Sequence, residues 1–359
     1  MRPFAPHHVQ KTVAVFGAAG HTGRFVVHEL LRHGITPIAV ARDLATLAAA
    51  GFPEHTVLLR QASVQDLPSL LKGFEGAAAV INCAGPFLET ADAVANAALR
   101  SGMHYLDVTA EQPSAREILD KYDKDARTAG ISVVPSMSFY GGFVDLLATE
   151  AMGDWNHADT IDVMIGLDSW HPTRGTRLTG EKNISERLVV SSGRPVPISS
   201  PRQQRNWQFA PPLGQQPMVE VPFAEMVLFP RHVQVSELHT WLNRLALDDL
   251  HDSSTPPPRS ADDSGRSPQR FLVEVVIARK AEVRRIVAQG RDIYAFSATL
   301  VCKAVERLLN GNISGAGAQP PGVVFNAREL LSALSPEYLT FESSVGNRSP
   351  DQWTSRKSL

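Results

Sequence analysis

Along the first 135 residues, short continuous apolar runs alternate with longer stretches in which apolar residues recur every three or four positions. The short runs predict six strands, at 13–16, 36–41, 56–60, 77–83, 104–108 and 131–135. The longer stretches predict the helices between them, at 25–31, 44–50, 64–72, 91–101 and 116–129. Strands that alternate with helices in this way form a parallel sheet with helices on both faces, so we expect a doubly wound α/β domain.

The pattern changes after about residue 145. Longer runs rich in β-branched residues follow one another with few helices, and they predict strands at 160–167, 218–229, 271–279 and 282–289. The short stretch 279–282 is typical of a tight connection between antiparallel strands. We therefore expect a second α+β domain built on a mixed or antiparallel sheet.

Two segments of this second part predict loops. The stretch 193–217 is rich in Pro and Gln, and 251–269 is rich in Pro, Ser and Asp, so we expect the latter to be mobile or disordered. Helical spacing returns at 299–309 and 326–334, with a flexible connection at 311–322. The predicted division is a nucleotide-binding domain at 11–145, a substrate domain at 146–289, helices returning to the first domain at 290–342, and a tail at 343–359.

Three glycines directly follow the first predicted strand. Gly17, Gly20 and Gly23 stand three residues apart, between that strand and the first helix. In such a loop the first glycine permits a tight turn, the second lets the backbone approach a pyrophosphate, and the third lets the helix pack on the strand. The helix N-terminus offers free N–H groups and a partial positive charge to the same anion. We expect a Rossmann-type dinucleotide site here, which also includes the intervening residues Ala19, His21 and Thr22.

The end of the second strand predicts which dinucleotide binds. NAD-binding domains usually place an acidic residue there, whereas an arginine accommodates the 2′-phosphate of NADP. Here the strand ends at Ala41 and is followed by Arg42 and Asp43. A guanidinium binds a phosphate through two parallel hydrogen bonds, and Asp43 suits the N-cap of the next helix; the alternative is a solvated Arg42 with Asp43 on the ribose. NADP(H) is the expected cofactor, with Ser63 either bordering the adenine or facing solvent.

Composition and charge narrow the range of partners. The formal net charge is −2 at pH 7, and no block of Lys and Arg offers a basic surface to nucleic acid or to an anionic membrane. No apolar run is long enough to cross a bilayer, and residues 1–11 lack the apolar core of a signal peptide, so we expect a cytoplasmic protein. The expected partner is a small-molecule substrate, and a homodimer through the second-domain sheet is a further expectation.

The cysteines and histidines do not predict a metal site. Cys83 and Cys302 show neither metal-ligand nor disulfide spacing and are expected to be buried free thiols. His7, His8 and His104 have no companion ligands at metal spacing.

Two further segments are more specific for one protein family than the glycine loop alone. The fourth strand leads into Ala84-Gly85-Pro86-Phe87, and the fifth strand leads into His-Tyr-Leu-Asp-Val-Thr-Ala-Glu at 104–111. Together with the glycine loop, these segments resemble the saccharopine dehydrogenase-like NADP-binding family, which includes saccharopine reductases and trans-acting enoyl reductases. In that family a Gly-Pro turn and a His-Tyr-x-Asp-aliphatic-Ser/Thr-x-Glu segment recur at these places. A later family feature is matched loosely by 290–294 and 298–299.

The resemblance covers residues 12–135 and is faint from 146 to 289. It implies that the nicotinamide end of the cofactor is bordered by Ala84, Gly85, Pro86, Phe87, Thr109 and Glu111. After the sixth strand many relatives carry a segment like Gly-Phe-Asp-Ser-Val-Pro-Ser-Asp, whereas 138–145 here read Ser-Phe-Tyr-Gly-Gly-Phe-Val-Asp. Only the Phe and the final Asp match, so the identity of the substrate does not carry over.

Few protein groups are obligatory for hydride transfer, but a proton donor is commonly one of them. Tyr140 is a candidate donor, or else a packed aromatic residue with a hydrated hydroxyl. His171 is a second candidate, or else a structural loop histidine, and the nearby Arg174 and Arg177 are candidates for binding a substrate carboxylate or phosphate. Glu111 either orients a ribose or water, or caps the following helix.

No tyrosine is followed by a lysine four residues later, so the Tyr–Lys pair of short-chain dehydrogenases is absent. The features above predict an NADP(H)-dependent oxidoreductase that transfers a hydride to a C=N or C=C bond of a small or carrier-bound substrate. The alternative is a non-catalytic protein that binds or senses NADP(H). A substantial second sheet with an arginine-bearing loop favours the enzyme, because a sensor has no need of it.

Overall fold

The structure, a computed structural model, describes residues 11–347. Its first sheet has seven parallel strands in the order β15-β6-β5-β4-β1-β2-β3. The first six follow one another along the chain: β1 (Thr12–Phe16), β2 (Thr36–Ala41), β3 (Leu58–Gln61), β4 (Ala79–Asn82), β5 (His104–Asp107) and β6 (Ser132–Val134). The seventh, β15 (Gly317–Ala318), comes from the C-terminal part and pairs with β6. The strand order reverses beside β1, which confirms the doubly wound sheet and creates a crevice at its carboxyl edge.

Five helices connect these strands: α1 (His21–Arg32), α2 (Leu44–Ala48), α3 (Leu67–Phe74), α4 (Phe87–Arg100) and α5 (Gln112–Ala129). Three of them start about four residues earlier than the apolar spacing predicts. For α4 the reason is tertiary, because the Glu111 carboxylate accepts hydrogen bonds from the N–H groups of Phe87 at 2.8 Å and Leu88 at 3.4 Å. A distant carboxylate therefore caps this helix where no local side chain does.

The second sheet has nine strands, seven of them in the order β10-β11-β12-β7-β13-β14-β16, with β8 pairing to β12 and β9 to β8. Their bounds are β7 (His157–Leu167), β8 (Leu188–Ser191), β9 (Arg194–Pro197), β10 (Gln204–Gln208), β11 (Gln215–Glu220), β12 (Gln234–Asn243), β13 (Arg270–Arg279), β14 (Glu282–Arg291) and β16 (Leu339–Asn347). Only β12 and β7 pair in parallel within this described sheet. The predicted mixed second sheet is confirmed, and so is the antiparallel connection at 279–282.

The remaining helices are α6 (Val144–Met152), α7 (Arg174–Lys182), α8 (Glu225–Leu228), α9 (Arg244–His251), α10 (Ile293–Leu309), α11 (Pro321–Val324) and α12 (Ala327–Ser332). Helix α10 returns to the first domain and packs on α1, where the Cys302 thiol lies 3.6 Å from the Val26 carbonyl oxygen. It begins at Ile293 because the buried Asp292 carboxylate accepts from the N–H groups of Tyr294 and Ala295. No helix among residues 11–347 is long and apolar enough to cross a membrane.

One apolar core joins the two domains. It runs from β1 and α1 through α10 to β7 and β13. Four phenylalanines mark its centre: Phe139 and Phe143 from the turn after β6, Phe271 from β13, and Phe296 from α10, with ring centroids 4.6–6.2 Å apart. Aromatic pairs at these distances add to the stabilisation from burial. The second sheet is therefore anchored to the end of β6 and to α10 together.

Three predictions from the sequence are wrong. The predicted strand 218–229 ends at Glu220 and is followed by α8, and the predicted loop 193–217 contains β9, β10 and the start of β11. The predicted tail is a strand up to Asn347, since β16 pairs with β14 from Leu339 to Asn347. These strands are short or exposed, so their apolar spacing is weak, and pairing with a distant strand decides their conformation. The rest of the predicted tail, 348–359, lies outside the described residues.

The segment 252–269 has no helix or strand, yet side chains hold it in several places. Arg177 donates hydrogen bonds to the carbonyl groups of Asp252 at 3.0 Å and Thr255 at 3.0 Å, and Asp292 accepts from the Ser267 N–H at 2.7 Å. These contacts hold the segment in place, contrary to the mobility expected from its composition. The homodimer and the cytoplasmic location stay predictions.

A buried carboxylate joins the ends of β5 and β6. Asp107 is fully buried, and its carboxylate accepts hydrogen bonds from the N–H groups of Thr109 at 3.0 Å and Ser136 at 2.8 Å, and from the Tyr105 hydroxyl at 2.9 Å. Burial raises the pKa of Asp107 to about 6, because loss of water penalises the charged form more than these hydrogen bonds stabilise it. Ionisation of this group is thus coupled to unfolding.

We expect Asp107→Asn to change the pH dependence of stability. The pKa of Asp107 is higher in the folded chain than in the unfolded one, so its stabilising contribution is complete below about pH 4 and is lost as the pH rises through about 6. The loss amounts to about 3 kcal/mol of unfolding free energy. Asparagine does not ionise, so urea unfolding should show the variant gaining about 3 kcal/mol relative to wild type between acidic and neutral pH.

The exposed Asp125 of α5 provides the matched control. Asp125→Asn should leave the pH dependence unchanged. A difference between Asp107→Asn and wild type that stays constant across the pH range would contradict the assignment.

Candidate functional site

The glycine loop closes tightly between β1 and α1. Gly17 has φ +82°, a conformation that favours glycine, and a Cβ there would lie 2.8 Å from the Ala84 nitrogen. Gly20 is the N-cap of α1, and no side chain caps its free N–H groups. A Cβ on Gly23 would lie 2.3 Å from the Gly17 carbonyl oxygen, so only glycine lets α1 approach the loop this closely. This geometry fits the turn predicted for Gly17 and the helix packing predicted for Gly23, and the pyrophosphate contact at Gly20 stays a prediction.

Two polar residues follow β2, and they have different roles: Asp43 caps a helix, as predicted, and Arg42 is exposed. The Asp43 carboxylate caps α2 by accepting from the Ala45 N–H at 2.9 Å and the Thr46 hydroxyl at 2.8 Å. Arg42 is exposed, and no described residue pairs with its guanidinium group, while Gln61 fixes its backbone carbonyl at 2.9 Å. The Ser63 N–H is held by the Ser69 hydroxyl at 3.0 Å, beside this edge. Arg42 is therefore available to a phosphate.

The turn between β4 and α4 is held by its own polar side chains. The buried Asn82 accepts from the Ala84 N–H at 3.0 Å, and the Thr90 hydroxyl donates to the Ala84 carbonyl at 2.6 Å. Glu111 caps α4 at Phe87 and Leu88, and burial raises the pKa of its carboxyl. The Glu111 carboxylate is thus engaged at the start of α4 and makes no cap hydrogen bond to the following helix α5, so the predicted cap on α5 is wrong. Its neighbour Thr109 accepts from the Glu111 N–H through its hydroxyl at 3.0 Å.

Elements of the second domain cover this turn. A Cβ on Gly85 would lie 2.9 Å from the Thr179 hydroxyl oxygen, so α7 lies directly against the turn. Lys182 at the end of α7 pairs with Glu89 of α4 at 2.6 Å. On the other side, Gln112 bridges the domains by donating to the carbonyl groups of Leu188 at 2.8 Å and Phe223 at 3.0 Å. The carboxyl edge of the first sheet is therefore enclosed between the two domains.

Tyr140 lies in this enclosure with an unpartnered hydroxyl group. Its ring stacks on Phe223 at a centroid distance of 4.2 Å and lies 5.4 Å from the Trp170 ring. The hydroxyl is buried and has no hydrogen-bond partner among the described residues, and the same holds for one oxygen of the buried Glu225 carboxylate. Burial, together with the neighbouring Tyr294 and Glu225, raises the pKa of Tyr140 well above its usual value. The phenol is consequently neutral and carries its proton.

A second tyrosine links α10 to the loop before α7. The Tyr294 hydroxyl accepts from the Trp170 indole N–H at 3.0 Å and the Thr173 N–H at 3.3 Å, and lies 2.9 Å from the Thr176 hydroxyl. Its ring packs on His21, the first residue of α1, at a centroid distance of 5.3 Å. Burial lowers the pKa of His21, and its Nε2 atom is buried without a partner among the described residues. This chain of contacts connects the glycine loop to the enclosure around Tyr140.

The segment at 138–145, where the family resemblance fails, has a specific backbone. It contains a kinked turn at Phe139–Phe143, in which the backbone is not helical at Tyr140 and Gly141, and Gly141 has φ +109°. A Cβ on Gly142 would lie 2.5 Å from the Ser136 carbonyl oxygen, so the turn requires glycine. The buried Asp145 accepts from the Gly322 N–H at 2.7 Å and lies 2.8 Å from His232 Nε2. This turn places the Tyr140 ring between the domains.

The other predicted catalytic and substrate residues lie in the loop before α7 and in the first turn of α7. His171 is half-buried beside a cavity of about 20 Å³, which it lines together with Tyr294. Arg174 is exposed, and no described residue pairs with its side chain. Arg177 donates to the carbonyl groups of Leu250, Asp252 and Thr255, which favours a structural role over the predicted anion contact.

Several residues of the enclosure are not identified by the motifs. Trp170 and Tyr294 lie in segments that the sequence does single out, 168–177 and 290–294, so a signal for them exists. Phe223, Glu225 and Arg187 carry no such signal, because only the tertiary packing brings them to Tyr140. Arg187 donates to the Pro222 carbonyl at 3.1 Å and lies over the Phe223 ring, and burial lowers its pKa.

The described residues contain no group of His, Cys, Asp or Glu that could hold a metal ion. His104 instead accepts a hydrogen bond from the Ser132 N–H at 3.0 Å. His7 and His8 lie outside the described residues.

Comparisons with known proteins agree with this site. Residues 13–134 match the family model described as the saccharopine dehydrogenase NADP binding domain. A human saccharopine dehydrogenase-like oxidoreductase is 24% identical over 225 residues, which are 54% of this chain and 52% of that protein. A Caenorhabditis elegans protein named lipid droplet localized protein is 27% identical over 187 residues, 46% of this chain and 43% of its own length. The chain spans about half the length of the curated relatives it matches.

The fold agrees with that of a solved structure, the apo histidine-tagged saccharopine dehydrogenase (L-Glu forming) from Saccharomyces cerevisiae. The TM-score is 0.66 at 13% identity, over 93% of this chain and 100% of that chain. The family-model match confirms the resemblance to the saccharopine dehydrogenase-like family over residues 13–134, which are an NADP-binding domain of this type. The cofactor expected from Arg42 is the one that the family model names. The chain's glycine loop, Arg42 and the unpartnered His21 nitrogen fit a dinucleotide with phosphate groups.

We expect Gly23→Ala to weaken both the fold and the cofactor site. The added methyl group would meet two backbone positions, the Gly17 oxygen at 2.3 Å and the Ala18 Cα at 2.8 Å, so α1 must move away from the loop. Overpacking of this kind costs about 1–3 kcal/mol of unfolding free energy. Urea unfolding and NADPH titration should show that loss together with weaker NADPH binding.

Gly180→Ala in α7 is the matched control. No atom lies within 4 Å of its added Cβ, so the same substitution should raise the unfolding free energy by roughly 0.5–1 kcal/mol through helix propensity. Similar effects of the two substitutions would contradict the packing argument.

Proposed function

We propose that this protein is an NADP(H)-dependent reductase that transfers a hydride to a C=N or C=C bond of a small or carrier-bound substrate. The reaction takes place between the two domains, at the carboxyl edge of the first sheet. The observation that carries the proposal is the Tyr140 hydroxyl, a buried proton donor without a partner among the described residues. A buried hydroxyl that makes no hydrogen bond costs about 1–3 kcal/mol, and a substrate atom that accepts its proton would explain why it is retained.

The first domain holds the cofactor. The N–H groups at the start of α1 and the glycine loop bind the pyrophosphate, and Arg42 binds the 2′-phosphate. The turn at Gly85 and Pro86 borders the nicotinamide. When bound, NADPH supplies the hydride, so the protein's own part is to position the substrate, exclude water and supply a proton.

Tyr140 supplies that proton. Burial keeps the phenol neutral, so the proton stays on the hydroxyl until a substrate atom develops negative charge. Stacking against Phe223 holds the ring in one orientation. His171, in the loop before α7, remains the candidate for a second acid, and Arg174, the first residue of α7, remains the candidate for binding a substrate anion.

Water is excluded by α7 and the loop before it. Thr179 lies against Gly85, Lys182 pairs with Glu89, and the Tyr294 hydroxyl binds the loop at Thr173. Closing a site in this way strengthens every electrostatic interaction inside it. A non-catalytic sensor of NADP(H) would leave the Tyr140 hydroxyl without a role.

We expect NADPH to bind more tightly than NADH, and Arg42→Ala to remove most of that preference. A charge-assisted contact to the 2′-phosphate contributes about 1.5–3 kcal/mol, which corresponds to roughly 10- to 100-fold in affinity. Calorimetric titration of both cofactors measures the ratio. Arg100→Ala, at the exposed end of α4, should keep the wild-type preference, and equal affinities in the wild-type protein would contradict the assignment of Arg42.

We expect Tyr140→Phe to lower turnover without lowering stability. The hydroxyl makes no protein hydrogen bond, so its loss does not weaken the fold, whereas loss of a general acid typically costs 10²–10⁴-fold in rate, as an order of magnitude. NADPH oxidation is measured with two probes, the imine formed from an amino acid and a 2-oxo acid, and a 2-enoyl thioester. NADPH affinity should stay unchanged.

Tyr122→Phe is the control for this variant. The Tyr122 hydroxyl donates to the Asp92 carboxylate at 2.7 Å, so its removal should cost about 1 kcal/mol of stability and leave turnover unchanged. If neither probe supports the oxidation of NADPH, the reductase proposal is overturned. Full turnover in Tyr140→Phe would overturn only the role of Tyr140.

A further inference from the structure

A large groove lies outside the predicted cofactor site, between α1 and the second sheet. It has a volume of about 1260 Å³ and is open to solvent along one side. One wall is the outer face of α1, from His21 to Arg32, and the other is formed by the ends of β13 and β14. Neither Gly17, Arg42 nor Gly85 lines it, and it meets the glycine loop only at His21. The groove is therefore separate from the enclosure around Tyr140.

The inner surface of the groove combines apolar and polar side chains. Phe25 and Leu31 of α1 and Leu213 of the β10–β11 connection are half-buried and present apolar surface to it. The buried Phe271 and Leu339 lie behind them. Ligand pockets typically enclose roughly 300–1,000 Å³, so this groove suits an elongated molecule better than a small substrate.

The groove is lined by five arginines and four carboxylates, which leaves a small excess of positive charge. Arg32 pairs with Glu29 and Glu337, and Arg291 pairs with Asp262, so two of the five lining arginines pair with three of the four lining carboxylates. Three further lining arginines have no ion-pair partner among the described residues: Arg24, Arg266 and Arg270. Among the lining acids described, only Asp263 is left without an ion pair.

The three uncompensated arginines retain free N–H groups. Arg24 uses its Nε atom for the Ala19 carbonyl at 3.0 Å, which leaves the two terminal nitrogens free. The Arg266 guanidinium lies over the Tyr338 ring, 4.2 Å from its centroid, a contact that fixes the plane of the guanidinium without using its N–H groups. Arg270 is exposed at the start of β13. Planar guanidinium groups of this kind bind carboxylates and phosphates through paired hydrogen bonds.

We propose that this groove binds an acyl chain that carries an anionic head group, a carboxylate or a phosphate. The chain lies on the apolar surface of Phe25, Leu31 and Leu213, and the head group pairs with Arg266 and Arg270. Burial of each CH₂ group tightens such binding by roughly fourfold, so a few buried CH₂ groups contribute as much as one charged hydrogen bond. The site does not depend on the proposed reductase activity.

The test is calorimetric titration of the full chain with four probes. Laurate and dodecyl phosphate carry similar chains with the two candidate anions, monolaurin carries the chain without a charge, and inorganic phosphate carries the charge without a chain. We expect one saturable site for the two anionic amphiphiles, and the tighter of the two identifies the head group. Monolaurin and inorganic phosphate should bind at least about tenfold more weakly.

Charge reversals then locate the site. Arg270→Glu and Arg266→Glu should each weaken binding of the tighter amphiphile by at least about tenfold. Arg259→Glu makes the same change of charge at an exposed arginine of the 252–269 segment that does not line the groove, and it should bind as the wild type does. Unchanged NADPH affinity in Arg270→Glu shows that the variant is folded.

Three outcomes would overturn the proposal. They are the absence of saturable binding by both anionic amphiphiles, binding of monolaurin as tight as that of laurate, and an equal loss of affinity in Arg259→Glu and Arg270→Glu. Failure of the reductase assays leaves this result unaffected, because binding is measured without NADPH.

Discussion

The four phenylalanines Phe139, Phe143, Phe271 and Phe296 hold the second domain over the carboxyl edge of the first sheet. They come from the turn after β6, from β13 and from α10, and their rings pack within one continuous apolar core. Since close-packed interiors resist small displacements, the second sheet keeps a fixed position relative to the end of β6. The enclosure around Tyr140 depends on that position, because Tyr140 stands next to Phe139 in the same turn.

Polar groups inside this core fall into two classes. Four buried carboxylates accept hydrogen bonds from backbone N–H groups: those of Asp107, Asp145, Glu111 and Asp292. Each therefore stabilises the start of a helix, the end of a strand or a turn. The Tyr140 hydroxyl is buried without a partner among the described residues. Buried polar groups are normally paired, and the unpaired hydroxyl beside the predicted cofactor site is the basis of the role proposed for Tyr140.

Prediction from the sequence was most accurate where the signal is local. The strands and helices of residues 12–134 were placed to within a few residues, and the cap role of Asp43 was anticipated from its position before α2. The start of α4 was missed because its cap, Glu111, lies on another part of the chain. The strands β8, β9, β10 and β16 were missed because they are exposed or short and form by pairing with distant strands.

The sequence by itself determined the cradle for the cofactor. The requirement on Gly17 comes from its positive φ, and those on Gly20 and Gly23 come from neighbours a few residues away, so the spacing carries them. The close approach of Ala84 to Gly17 is tertiary. Only the tertiary structure decided which candidates share the site with that cradle. It brought Tyr140 between Phe223 and Trp170 and turned Arg177 toward three carbonyl groups of a distant loop. Contacts between residues far apart in the chain leave no local pattern, because packing and burial select them.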